Sequence, residues 1–353
     1  MALKRILIGL KKKNERIKKN FQFIISTLEY LNFKKSINLF KIYYNLLKKR
    51  TKLNSYPCCY NIDIGNVCNL KCPLCPTGVN SNRRKKSVMT YNTYKKIFDK
   101  IKPYAIAIQL HNWGEPLLNK DLFKIINLTK KYNIKITLSS NFNLANKEII
   151  TNLLDSKIDK LIISLDGTNE ESYTSYRIGG DFEKVLNNTK DLLSQKSERK
   201  LSKPEVTWQY LIHNKNKKYI LDAKKLAKRI GIKINFPKFQ LSQEVSIKNP
   251  EDSLINEWIL PENQKNKKEY LFTGGLSPVC KRLYYEMTIN STGSVSPCCA
   301  VYDEKEDFGN LLFDSLETLW NNKKYISSRD IFNNKKETNT ICYKCVSFWK
   351  NEE

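Results

Sequence analysis

The chain has 353 residues, 41% of them hydrophobic, and a formal net charge of +27. That length suits one large domain plus a smaller one. The early apolar run ILIGL is too short for a secretory signal and meets KKK at once. FQFIISTLEYLNF, 13 residues with a glutamate, falls short of the roughly 20 apolar residues that a membrane span needs. The expected setting is cytoplasmic, where thiols stay reduced, so the ten cysteines point to metal or cluster ligation rather than disulfides.

Residues 1–52 carry 15 Lys/Arg against 2 Glu, a net +13. Phe21, Ile24, Ile25, Leu28 and Leu31, then Ile37, Phe40, Tyr43 and Leu47, recur at helical spacing. We therefore expect a basic helical extension over 1–55. Two readings are open. A solvated extension is the bland one; contact with an anionic membrane surface or a polyanionic substrate is the other, which would make the protein peripheral at a membrane.

From residue 56 the pattern turns regular. Six apolar, β-rich runs (CYNIDIG, AIAIQLHNW, IKITLSSNF, KLIISLDG, EVTWQYLIHN and IKINFPKF) alternate with helix-like stretches such as TYNTYKKIFDKIK and DFEKVLNNTKDLLSQ. Strands too apolar to be one-sided argue a parallel sheet with helices outside. The expected fold class is α/β: a partial (β/α)6 barrel over 56–240, with its site at the strand C-terminal ends. Residues 241–275, polar and broken by Pro250, Pro261 and Gly274-Gly275, read as a linker, with Trp258 as its anchor on the barrel. Residues 276–353 form a small C-terminal unit with strand-like YYEMTIN and SVSP.

CNLKCPLC, residues 68–75, follows the first strand with three cysteines. Three ligands do not close a tetrahedral site, whereas three thiolates on a four-iron cubane leave one iron open for chemistry. A partial zinc site is the alternative. CNLKCPLC resembles the signature of radical S-adenosylmethionine enzymes. That resemblance implies that Cys68, Cys72 and Cys75 hold a 4Fe-4S cluster whose open iron chelates S-adenosylmethionine. An electron from flavodoxin or ferredoxin would then give methionine and a 5′-deoxyadenosyl radical.

Other positions resemble the same family in the same order. WGEP resembles the GGEP element, implying cofactor contacts at Gly114 and Glu115, with Trp113 in place of the first glycine. SSNFNL places Ser139 and Asn141 in the matching positions, with Phe142 where glycine is usual. SLDG implies ribose-side contacts for Ser164 and Asp166, and YRIGG a carboxylate contact for Arg177. Each short element alone also reads as a turn, a cap or a surface ion pair. The resemblance covers roughly residues 56–240.

Cys280 and Cys298, with Gly293 between them, and the C-x2-C of Cys342 and Cys345 resemble a shortened SPASM extension. The resemblance implies one auxiliary 4Fe-4S cluster on these four thiolates, with Cys299 competing with Cys298. A zinc ribbon is the alternative from spacing alone. Cys58 and Cys59, adjacent on a strand and so expected on opposite faces, read as buried apolar residues. His111 and His213 read as structural, each with a conceivable role in proton handling. Tyr173, Tyr176, Asp303 and Glu304 are looser candidates.

Members with such an extension modify peptides, protein side chains, sugars or aminocyclitols. A single auxiliary cluster and the absence of an evident leader-binding module favour oxidation or epimerisation of a sugar-like substrate, with peptide modification as the alternative. Two other classes stay open: a zinc-stabilised basic nucleic-acid-binding protein, and a non-catalytic cluster carrier. No compact basic-aromatic nucleic-acid motif is visible, so nucleic acid is not the expected partner.

Overall fold

The computed structural model describes residues 27–237, 257–258, 280–334 and 337–350. Phe21, Ile24, Ile25 and most of the expected linker lie outside these residues. Nine strands form one sheet in the order β6-β5-β4-β3-β2-β1-β7-β8-β9. Strands β1 (Cys59–Ile62), β2 (Ala107–Gln109), β3 (Lys135–Ser140), β4 (Lys160–Ser164), β5 (Glu205–Gln209) and β6 (Lys233–Asn235) are mutually parallel. They alternate with helices as the sequence pattern predicts, in an open rather than closed barrel.

The C-terminal cysteine region continues this sheet. Strand β7 (Glu286–Ile289) lies parallel to β1, pairing Asn61 with Thr288 and Cys59 with Glu286. The hairpin partner β8 (Ser294–Ser296) and β9 (Gly309–Asn310) then run antiparallel. Gly293 makes the β7–β8 turn at φ +82, and a Cβ there would stand 2.7 Å from Leu312, so only glycine fits without strain.

Period-2 alternation decides what faces where. In β3 the residues alternate between half-buried and buried: Ile136 and Leu138 join the core under the helices, whereas Ser139 lines the inner cavity. The same alternation sends Tyr60 and Ile62 of β1 to the core and Asn61 to the cavity. Helices α1 (Phe33–Leu47), α2 (Tyr91–Ile101), α3 (Leu122–Lys130), α4 (Lys147–Asp155), α5 (Glu170–Thr174), α6 (Phe182–Glu198) and α7 (Ile220–Arg229) cover the sheet. Five of these seven starts are capped by a side chain, among them Thr90 on the Thr93 N–H, Asn146 on Ile149 and Asp181 on Lys184.

Cys58 and Cys59 depart from the expectation of opposite faces. Cys58 precedes the strand, so alternation does not govern it, and the two sulfurs lie 3.9 Å apart. Both are buried beside Tyr30, Ile42 and Ile106. Trp258 is buried against the barrel as expected, 5.3 Å from the Tyr176 ring and 5.1 Å from His213, and its carbonyl accepts the Asn214 N–H at 3.0 Å. No described helix is long and apolar enough to cross a membrane.

Candidate active site

A cavity of about 460 Å³ opens at the C-terminal ends of the strands, within the ~300–1,000 Å³ usual for small-molecule sites. Cys68, Cys72 and Cys75 line it together, carried by the loop that leaves β1. Gly78 lets that loop fold back on itself, since a Cβ there would meet the Cys72 carbonyl oxygen at 2.5 Å.

Hydrogen-bond donors surround the three sulfurs. The Leu70 N–H lies 3.4 Å and Asn141 Nδ2 3.7 Å from Cys68 Sγ, and Arg177 Nη1 lies 3.8 Å from Cys72 Sγ. The backbone N–H groups of Gly78 and Thr77 favour the thiolate of Cys75. Without a metal, burial pushes all three thiols up. A thiolate-bound cluster suits this donor set. A cubane seats its thiolates on separate irons, so three thiolates on one loop can share it.

Glu115 is buried at the end of the WGEP turn. Its Oε1 accepts the Ser140 hydroxyl at 2.7 Å and the Leu117 N–H at 3.1 Å, and Oε2 accepts the Asn141 N–H at 2.8 Å. Burial pushes its carboxyl up, and these donors oppose that. A carboxylate has about four lone-pair positions, so room is left for a ligand N–H. Gly114 is packed against the loop leading to Cys68: a Cβ would lie 1.7 Å from the Gly65 carbonyl oxygen. Trp113 turns its ring edge-on to Tyr302, 5.5 Å away, an aromatic contact that the usual glycine would lack. Phe142 is fully buried and holds the left-handed conformation at φ +61, where glycine carries no steric cost.

Gly114, Glu115, Ser139, Asn141, Ser164 and Arg177 all line the cavity. Ser139 and Ser164 place their hydroxyls 3.4 Å apart on neighbouring strands. Asp166 is fully buried behind the wall: its Oδ2 accepts Arg177 Nε at 2.7 Å and its Oδ1 the Leu211 N–H at 2.6 Å. It thus fixes the guanidinium that faces the cavity. His111 lines the cavity, with burial pulling it down to about 4. His213 instead packs on Tyr176 and Trp258.

The structure adds residues that the sequence reading did not single out. Asn61 Nδ2 donates to Glu286 Oε1 at 2.8 Å, and Arg282 Nη1 donates to the same oxygen at 3.0 Å. Arg282 also contacts Cys299 Sγ. All four line the cavity, with Gln109 and Gln209. Asp63, at the end of β1, receives the backbone N–H groups of Gly65, Trp113 and Gly114 while burial pushes it up to about 7. It ties the cysteine loop to the WGEP turn. A polar residue closing an apolar strand was the available signal.

The auxiliary cysteines flank strands β7 to β9 in the chain. Helix α11 (Ile341–Lys350), which follows α8 (Arg282–Tyr285), α9 (Leu316–Trp320) and α10 (Lys323–Asn334), carries Cys342 and Cys345 at i, i+3, one face of a helix. Cys298 lies near enough to Cys342, and Cys342 to Cys280, for their charges to interact. Cys299 points instead into the cavity wall.

Family profiles agree with this layout: the Radical SAM superfamily matches residues 62–227, and the SPASM iron-sulfur cluster-binding domain matches residues 280–346. The chain carries a radical SAM domain followed by a SPASM iron-sulfur domain. Iron-sulfur clusters and S-adenosylmethionine are the cofactors of this radical SAM chain. Among curated relatives, it is 28% identical over 120 residues to the AdoMet-dependent heme synthase of Methanosarcina barkeri (34% of each chain). It is 34% identical over 128 residues to a probable GTP 3',8-cyclase of Methanococcus maripaludis, covering 36% of this chain and 42% of that one. The radical SAM chain thus spans well under half the length of these relatives.

Solved structures share the fold. Streptococcus suis SuiB bound to precursor peptide SuiA superposes with a TM-score of 0.61 at 16% identity, over 87% of this chain and 74% of that one. Native anSMEcpe with bound AdoMet gives 0.56 at 18%, over 83% and 96%.

Proposed function

We propose that this radical SAM enzyme oxidises or epimerises a small, sugar-like substrate held at the β1–β7 side of the cavity. The observation that carries this reading is the polar wall of Asn61, Gln109, Arg282 and Glu286, in the same cavity as the cysteine triad. Buried polar groups are costly unless they are hydrogen-bonded. A substrate rich in hydroxyl or amino groups satisfies such a wall, and an aliphatic side chain does not.

When bound, the cluster and S-adenosylmethionine supply a 5′-deoxyadenosyl radical that takes a hydrogen atom from the substrate. The chain's residues do the rest. Cys68, Cys72 and Cys75 hold the cluster; Glu115 and Asn141 sit ready for the amino end of the cofactor and Arg177, fixed by Asp166, for its carboxylate. Ser139 and Ser164 offer hydroxyls towards its ribose. Asn61, Arg282 and Glu286 orient the substrate. Cys280, Cys298, Cys342 and Cys345 hold one auxiliary cluster, closed by four thiolates and suited to electron transfer. A small electron-transfer protein such as flavodoxin or ferredoxin would reduce the enzyme.

Modification of a peptide or protein side chain is the second reading. SuiB was solved with a precursor peptide, but a likeness at that identity carries the fold alone.

The test is anaerobic. Reduced, reconstituted protein with S-adenosylmethionine should form 5′-deoxyadenosine, and Cys72→Ala should not. Deuterated aminocyclitols and sugars, run beside deuterated peptides, should pass label into 5′-deoxyadenosine. Label arriving only from peptides would overturn the small-substrate reading.

A further inference from the structure

Helix α1 packs on the protein with its polar side. Its buried residues are Lys35, Asn38, Ile42 and Asn45. Lys35 Nζ donates to the carbonyls of Tyr30 at 3.2 Å and Asn133 at 3.0 Å. Asn38 donates to the Tyr56 carbonyl and accepts the Tyr56 N–H, each at 2.9 Å. Asn45 Nδ2 donates to Asn54 at 3.0 Å and Ser55 at 2.9 Å. These bonds fix the rotation of the helix about its axis.

The opposite face is therefore held outward, and it is apolar. Phe33, Ile37, Phe40, Tyr44 and Leu47 follow one another at spacings of four and three, one stripe of a helix. Phe33 is 84% exposed, Phe40 70% and Leu47 61%, with Tyr43 beside them at 60%. Lys34, Lys41 and Lys48, seven apart and exposed, run along one edge of the stripe, and Lys49 and Arg50 follow at its end.

We propose that this face lies flat on an anionic phospholipid surface, its stripe in the acyl boundary and its lysines at the headgroups. Charge selects this occupant. A second copy would bring the same cations against the row of lysines. Residues 1–26 hold eight Lys/Arg and one Glu, so they too would be repelled by it, while adding attraction to an anionic surface. A nucleic acid would meet the cations but leave the aliphatic Ile37 and Leu47 without a use. The inference is independent of the catalytic reading, and its test needs no cofactor.

The experiment is co-sedimentation of the full chain with vesicles of phosphatidylcholine alone and of phosphatidylcholine with phosphatidylglycerol, beside a Phe33→Ser/Phe40→Ser/Leu47→Ser triple variant. The wild type should prefer anionic vesicles by ~tenfold or more and lose much of that preference in high salt. The triple variant should bind ~tenfold or more weakly. Its substitutions lie off the packed face, so an unchanged melting temperature confirms the fold. Phe40→Trp should blue-shift in fluorescence on anionic vesicles. Equal binding of neutral and anionic vesicles, no binding, or undiminished binding by the triple variant would each overturn the proposal. So would a solution dimer, or binding to single-stranded RNA, that the triple variant abolishes.

Discussion

Arg84 and Asp307, 223 residues apart, form a two-pronged ion pair: Nη1 to Oδ2 at 2.8 Å and Nη2 to Oδ1 at 2.7 Å. Arg84 Nε donates to the Tyr302 carbonyl at 2.7 Å, and the Ser296 hydroxyl donates to Asp307 Oδ1 at 2.7 Å. The side chains are 2% and 11% exposed. The pair joins the segment after the cysteine triad to the C-terminal cysteine region, so the two parts of the site are held in one frame.

Breaking that pair from one side leaves the other charge buried. Arg84→Met should therefore cost about 3–5 kcal/mol in denaturant unfolding, and Asp307→Leu a similar amount. The double variant should recover much of the loss, since replacing both charges removes the unpaired one. Additive losses would show that the pair is not coupled.

Glycine at 114 is required by space rather than by conformation. A Cβ would lie 1.7 Å from the Gly65 carbonyl oxygen and 2.7 Å from that of Val67. Gly114→Ala must push the WGEP turn away from the cysteine loop. It should lower both the melting temperature and the iron retained after reconstitution. Gly65→Ala is the control: its Cβ would meet nothing closer than 3.6 Å, an ordinary contact. Equal tolerance of the two substitutions would refute the close approach.

The barrel was legible in the sequence because its code is local. Alternating apolar runs and 3.6-residue periodicity set β1 to β6 and their helices; Cys68, Glu115 and Asn141 lie beyond the ends of β1, β2 and β3, and Ser164 is the last residue of β4. What was not legible depends on contacts far apart in the chain. The run YYEMTIN reads as a strand, but no local pattern says that Glu286 pairs beside Cys59 and meets Asn61, so half of the polar wall stayed hidden. The face of α1 was misleading for another reason. Apolar residues at helical spacing usually face a core, but here hydrogen bonds from Lys35, Asn38 and Asn45 turn the polar side inward.

His213 makes stability depend on pH. It is fully buried beside Tyr176 and Trp258, and burial, with Arg177 and Lys215, pulls it down to about 3. Between that value and the ordinary value near 6.5 the unfolded chain binds a proton that the folded chain refuses. The contribution is intact above about pH 6.5 and falls as pH drops through that window. At pH 5 the loss from this residue should be about 2 kcal/mol. His213→Phe keeps a ring between Tyr176 and Trp258 and removes the titration. Urea unfolding at pH 7 and pH 5 should show a smaller acid loss in the variant; identical losses would mean that His213 takes up its proton in the folded state.

Adjacent Cys298 and Cys299 face different partners, which predicts different consequences of losing each. Cys298 lies near Cys342, and Cys342 near Cys280, whereas Cys299 is engaged by Arg282 at the cavity wall. With two four-iron clusters bound, the chain should carry about eight irons, and Cys298→Ala about four. Cys299→Ala should keep the full iron content and change the substrate side instead, because it frees Arg282. Anaerobic iron and sulfide analysis, with electron paramagnetic resonance of the reduced protein, separates the two. If Cys299→Ala lost half of its iron and Cys298→Ala none, the ligand assignment would reverse, and Arg282 would sit beside an auxiliary cluster rather than beside the substrate.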